Sequence, residues 1–222
     1  MKSNALPDDP TLDEVRAVLV PLVARAAAFD GWSHAAVAQA ADEAGIDPDI
    51  ARLAFPGGDF AMIDAWFAHI DASMRAALPA DVLDAMKVRA RITALVEARL
   101  AILAPDRESL RRAQAVLIMP QNAPRALRLG WRAADAMWRA AGDTASDFNH
   151  YSKRTILASL YAATLAVFVD DDSADYADTR AFLARRIDNV MQFEKWKARR
   201  SGARENRFSF TRLAGRLRYP GK

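Results

Sequence analysis

Between two apolar stretches lies AGDTASDFNHYSKR, residues 141–154. It gathers Asp143, Asp147, Asn149, His150, Tyr151, Lys153 and Arg154. Asp147 stands three residues before His150 and four before Tyr151, so a helix starting here sets all three on one face. A carboxylate that orients an imidazole is the arrangement of a general base. No nucleophile accompanies it. Cysteine is absent from the chain, and Ser146 and Ser152 lie in no nucleophile-elbow context. His34 and His69 show no metal-ligand spacing with His150, and no glycine-rich phosphate loop occurs. Turnover is therefore the weakest reading. A plain helix start is the strongest, with Thr144 and Asp147 as a capping box. A recognition surface stands between them, because Tyr, His and Arg are residue types that anchor partners.

The elements that position this cluster are helical throughout. Apolar residues recur with a helical period, and none alternates as in a strand. Thr11 and Glu14 form a capping box for a first helix, with Val15, Val18, Leu19, Leu22, Val23 and Ala26 along one face. Ser33 caps a second helix that Gly45 ends. Asp47-Pro48 opens a short third helix to about Leu53. Phe55-Pro56-Gly57-Gly58 breaks it, and Asp59 caps a fourth helix to Leu78. Further helices are predicted near 82–103, 107–119, 123–141, 146–169 and 175–198. The fold class is all-α with about ten helices. Three parts are expected: a helix-turn-helix-like N-terminal domain at 1–60, a second helical domain at 61–200, to which the family resemblance given below assigns lipid binding and partner binding, and a basic amphipathic segment at 201–222.

The 222 residues are 52% hydrophobic, enough for a sizeable core without disulfides. The lack of cysteine suits a reducing compartment. MKSNALPDDPTLDE reads as neither a secretory signal nor a transit peptide. The net charge of +3 is unevenly spread. Residues 1–60 carry 4 basic and 10 acidic side chains, and residues 185–222 carry 12 basic and 3 acidic. The basic end is where an anionic surface would be drawn.

Residues 29–60 resemble the N-terminal domain of TetR-type regulators, through the Ala44-Gly45 turn and Phe55-Pro56. Their charge is wrong for DNA. The short helix that would enter the groove offers Arg52 against Asp47 and Asp49, with Asp30, Asp42, Glu43 and Asp59 around it. Acidic side chains repel the phosphate backbone that supplies much of DNA affinity. No nucleic acid is expected as a partner.

A second resemblance covers residues 10–200 and is dense from 118 to 198. Its markers are Pro120/Asn122/Pro124, Trp131 and Trp138, Ala141-Gly142-Asp143, and Asp147-Phe148-Asn149-His150-Tyr151. Tyr161, Asp178-Thr179 and Phe182-Leu183-Ala184-Arg185-Arg186 complete them. In these the chain resembles the ubiquinone-biosynthesis accessory family usually counted as the ninth protein of the coenzyme Q pathway. The resemblance implies a TetR-like fold without DNA binding, no enzymatic activity, no cofactor and a homodimer. It implies a lipid-binding accessory protein that takes up isoprenoid quinone precursors and presents them to the demethoxyubiquinone hydroxylase. It also implies peripheral attachment to an inner membrane from the cytoplasmic side. The hydroxylase contacts it suggests are Asp147, Asn149, His150, Tyr151 and Arg154. Many members carry Trp at the position of His150, whose smaller ring buries less area. The alternative is a TetR-like ligand-responsive transcriptional repressor.

A tail-shaped cavity wants bulky, adaptable walls. Met119, Leu127, Trp131, Met137, Trp138 and Tyr161 are the expected lipid-binding residues, in a region that also holds Leu117, Ile118, Leu160 and Leu165. The same stripe also suits ordinary core. At 100° per residue, Phe210, Leu213, Ala214 and Leu217 share one side of the last segment, and Arg207, Arg212, Arg216 and Arg218 lie elsewhere. That is the pattern of a helix lying in a membrane interface. Phe210, Arg212, Leu213, Arg216 and Leu217 are the expected membrane-binding residues, and an anionic membrane surface the expected partner.

Overall fold

A computed structural model describes residue 7, residues 9–144 and residues 148–205, apart from the side chains of 148, 149, 191 and 193–205. Ten α-helices and no strand occur among the described residues. The helix starts follow their caps. Thr11 Oγ1 accepts from Glu14 N at 3.3 Å and Glu14 Oε2 accepts from Thr11 N at 2.9 Å, opening α1 (Leu12–Asp30). Ser33 caps α2 (His34–Ala44), and Gly45 ends it in the left-handed region at φ 66°. Asp47 Oδ1 accepts from Asp49 N at 2.8 Å at the head of α3 (Pro48–Leu53).

Three expectations need correction. Asp59 does not cap the fourth helix. Gly58, at φ 65°, turns the chain one residue earlier, so α4 (Gly58–Ala77) has Gly57 at its N-cap and Asp59 in its first turn. The helix expected over 82–103 is two helices, α5 (Ala80–Asp84) and α6 (Val88–Leu103). Lys87 is extended between them, and Arg91 covers the freed carbonyls of Asp84 and Met86 at 3.1 and 2.9 Å. A side chain from the next helix thus satisfies a break that no proline or glycine marks. On α1, Val20, Ala24 and Ala27 join the buried stripe, while Val18 and Leu22 are only half-buried. The stripe widens because α1 is packed by α2, α4 and α7 together.

The remaining helices are α7 (Arg107–Leu117), α8 (Ala123–Ala140), α9 (Phe148–Val169) and α10 (Ala177–Glu205). Trp32 and Trp66 pack at a tilt with centroids 5.0 Å apart, and Phe67 meets Trp66 edge-on at 5.6 Å. Trp32 Nε1 donates to Ser109 O at 3.0 Å, and Ser109 Oγ donates to Ala24 O at 2.5 Å, so the N-terminal helices are bolted to α7. The described chain divides into two compact units after Leu183, the second beginning within α10.

α9 is the one helix among the described residues long and apolar enough to cross a membrane, at a mean hydropathy of 1.2. One face of it is packed in the core. Leu157, Tyr161, Leu165 and Phe168 are buried, and Arg154 is ion-paired. At its end the buried Asp171 accepts from Ser173 N and Thr179 N at 2.9 and 2.8 Å, and from both hydroxyls. Burial pushes this carboxyl up, and those four hydrogen bonds outweigh it and hold it far below the usual carboxylate range.

Candidate functional site

α8 and α9 pack against each other. Trp131 meets His150 and Tyr151, Asp135 meets Arg154, and Trp138 meets Lys153. Two features result, a groove and an aromatic patch.

The groove has a volume of about 580 Å³, in the range of small-molecule sites. Its rim is exposed and comes from Arg111 and Ala115 of α7, Ile118 just beyond α7, Ala162 and Ala166 of α9, and Asp170 just beyond α9. Its floor is buried and comes from Phe67 of α4, Leu129 and Ala133 of α8, and Tyr161, Leu165 and Val169. Polar groups cluster where α7 begins and α9 ends. Arg111 Nη1 donates to Asp170 Oδ1 at 2.5 Å, and Arg111 Nη2 to Val169 O at 2.9 Å. From Ala158 to Val169, α9 lines the groove over about 16 Å of rise. An apolar trough of that length, open on one side, has the shape to accommodate a chain-like molecule.

Of the six residues expected to bind lipid, Tyr161 lines this groove, and of the wider region Leu117, Ile118 and Leu165 do as well. Met137 is fully buried core. Met119 and Leu127 are exposed and off the groove. Trp138 is occupied elsewhere, its Nε1 donating to Lys153 O at 3.1 Å and its ring facing Lys153 Nζ at 5.2 Å. Trp131 belongs to the patch. The reason is steric. Large side chains fill the space between helices, and a void is left where they are missing. Ala115, Ala126, Gly130, Ala133, Ala158 and Ala162 make the groove. A run of small residues facing one another on three helices was the signal in the sequence.

The patch is built on Trp131, His150 and Tyr151. Trp131 and Tyr151 have ring centroids 5.9 Å apart, and His150 lies 6.2 Å from Trp131 and 5.2 Å from Tyr151. Tyr151 is 61% exposed. A supported, exposed aromatic ring is well suited to anchoring a protein partner. Arg154 does not join it. It is buried, with Nε donating to Asp135 Oδ1 at 2.6 Å and Nη1 to Asp143 Oδ2 at 3.1 Å. Arg154 begins the buried row that continues through Leu157, Tyr161 and Leu165, and Tyr151 lies at the end of the helix before that row is covered. Asp147 lies outside the described residues, as does the side chain of Asn149, so the Thr144–Asp147 capping box falls there too. Phe210, Arg212, Leu213, Arg216 and Leu217 also lie outside them. No cluster of three metal-ligating side chains occurs among the described residues.

An all-helical body with a helix-turn-helix-like front and a groove behind it has the TetR-regulator fold. A TetR transcriptional regulator from Nitrosomonas europaea superposes with a TM-score of 0.64 at 22% identity, over 80% of this chain and 98% of that one. Within that class, residues 123–194, which include α8 and α9, match the family model described as COQ9, and the chain carries a COQ9 domain. It is 32% identical over 167 residues to the rat protein named "Ubiquinone biosynthesis protein COQ9, mitochondrial", covering 72% of this chain and 54% of that one. The human protein of that name is 42% identical over 96 residues, 43% of this chain and 30% of that one. The fruit-fly protein is 28% identical over 195 residues, 86% of this chain and 60% of that one. The chain thus spans about half the length of the rat relative it matches.

Proposed function

We propose that this protein is a lipid-binding accessory protein of ubiquinone biosynthesis, and not an enzyme. The observation that carries this reading is the apolar groove of about 580 Å³ among α7, α8 and α9. It lies mainly on helices within the COQ9 match, and the matched relatives are named for ubiquinone biosynthesis. The groove takes the isoprenoid chain of a quinone precursor. The Trp131–His150–Tyr151 patch engages the demethoxyubiquinone hydroxylase, and the two lie on the same helix pair. The basic C-terminal segment holds the protein on an anionic membrane, and the protein works as a homodimer.

The short helix α3 supports this reading over a repressor. Its Arg52 is ion-paired to Asp49 at 3.0 Å, and Asp47 caps its N-terminus. A helix whose single cation is paired and whose neighbours are acidic lacks the phosphate contacts that DNA affinity needs. The test is native mass spectrometry of the purified protein, followed by lipid extraction. A bound isoprenoid or quinone is expected. Protein that leaves the cell empty of lipid and retards an operator-containing DNA library at low salt contradicts the proposal.

A further inference from the structure

Beneath the floor of the groove, four helices bring polar side chains to one place: Asp71 of α4, Arg99 of α6, Arg132 of α8 and Tyr161 of α9. Arg99 is wholly buried and Asp71 nearly so. Arg99 Nη1 donates to Asp71 Oδ1, and the Arg99 guanidinium carbon stands 4.8 Å from the Tyr161 ring centroid. Arg132 Nε comes to 3.5 Å from Asp71 Oδ2, an ion-pair distance without a hydrogen bond, while its other nitrogens bond Asp64 at 2.8 Å. Among the described residues, Arg99 Nε and Nη2, Arg132 Nε and the Tyr161 hydroxyl are buried without a hydrogen-bond partner.

A buried donor with no acceptor is unfavourable, and more so when it is charged. A site that only had to be filled would be better served by apolar residues of the same volume. Nor is the cluster remote from the groove. Tyr161 belongs to both. Phe67, a groove residue, lies one turn before Asp71 on α4. Leu129 and Ala133, also in the floor, flank Arg132 on α8.

We propose that the floor of the groove at Tyr161 is the seat for the polar end of its ligand, which enters head first with its apolar chain lying toward Ile118 and the rim. The inference rests on the reading of the groove as a lipid site. The head is small and carries an oxygen acceptor, which takes the Tyr161 O–H, while the Arg99 guanidinium beneath the floor supplies positive charge behind it. A quinone carbonyl and a carboxylate share that chemistry. Head-first seating means that the ring is sequestered in the resting protein. Release of the ring, more than its display, is then the step that partner docking triggers.

The test uses the full chain and three probes: decylbenzoquinone, decylbenzene, which has the ring and chain without the oxygens, and oleate. The wild type is expected to bind decylbenzoquinone about tenfold more tightly than decylbenzene, the scale of one hydrogen bond to a buried site. Tyr161→Phe keeps the ring over Arg99 and removes only the hydroxyl. It is expected to erase most of that difference and leave decylbenzene binding unchanged. If it weakens oleate alone, the seat stands and its head is a carboxylate. If it leaves all three affinities as in the wild type, the seat is wrong and the groove reading survives. Ala162→Trp, which fills the groove, separates the two ideas, because unchanged binding of every probe in that variant overturns the groove itself.

Discussion

Arg154 Nε donates to Asp135 Oδ1 at 2.6 Å, inside the α8–α9 pair, and this fixes the two helices that carry both the groove and the aromatic patch. Its Nη1 also reaches Asp143 Oδ2, while Lys153 Nζ donates to Asp143 Oδ1 at 2.7 Å. Arg154→Ala leaves two carboxylates short of a cation in a poorly solvated place. Because Arg139 and Lys153 still pair the two carboxylates, the expected loss of stability is about 1.5–3 kcal/mol, read from the urea midpoint. A loss below about 1 kcal/mol contradicts the structural role.

The same pairs set an acid limit. Burial pushes the Asp135 and Asp143 carboxyls up, and the hydrogen bonds from Arg154, with Arg139 at Asp135 and Lys153 at Asp143, outweigh it and bring both below the usual carboxylate range. A carboxyl depressed in the folded state stabilises the fold above its unfolded pKa of about 3.9, and that stability is lost as pH falls through the folded value. Urea midpoints measured from pH 7 down to pH 2.5 are expected to hold above about pH 4 and then drop. Asp143→Asn shows a lower midpoint at pH 7 and a shallower acid slope. Parallel curves for the two proteins would refute this assignment.

Tyr151 predicts a different pattern. Its ring is 61% exposed and rests on Trp131. Tyr151→Ala is expected to cost less than about 1 kcal/mol of stability, as exposed positions do. Association with the hydroxylase is expected to weaken by tenfold or more, the behaviour of an anchor residue. Lipid content is expected to stay the same. Pull-down with the hydroxylase, alongside lipid extraction, reads both, and a normal complex excludes the patch as the docking site.

The C-terminal segment makes its own prediction. Residues 204–222 carry Arg204, Arg207, Arg212, Arg216, Arg218 and Lys222 beside Phe210, Leu213 and Leu217. Each basic side chain near an anionic bilayer adds roughly 1 kcal/mol, screened by salt. Full-length protein is expected to pellet with phosphatidylserine-containing vesicles at low salt and much less at high salt. Protein ending at residue 203 is expected to stay in the supernatant. Equal pelleting of the two would remove the tail from membrane attachment.

Much of the architecture was legible because helix ends are written in local chemistry. The Thr11–Glu14 box, the Ser33 cap and the Gly45 turn each concern residues a few positions apart, and each stands as expected. The α5–α6 break was hidden because its satisfaction is not local: Arg91 supplies the donors from within the next helix. The groove was not legible for a related reason. Trp131, Met137 and Trp138 look like cavity walls in a sequence, yet the groove is lined by small residues such as Ala115, Gly130, Ala133 and Ala158. Arg154 looked like a surface contact until its two carboxylate partners, eleven and nineteen positions away, came into view.

The most direct test of the lipid-binding groove is the lipid content of Ala162→Trp and Ala166→Trp, which place an indole in the trough from an exposed rim position and leave the buried floor intact. Mass spectrometry of the extracted lipid, normalised to protein, is expected to show an isoprenoid or quinone in the wild type and little of it in each variant, with unfolding midpoints preserved. Wild-type amounts of lipid in both folded variants would mean that the ligand sits elsewhere.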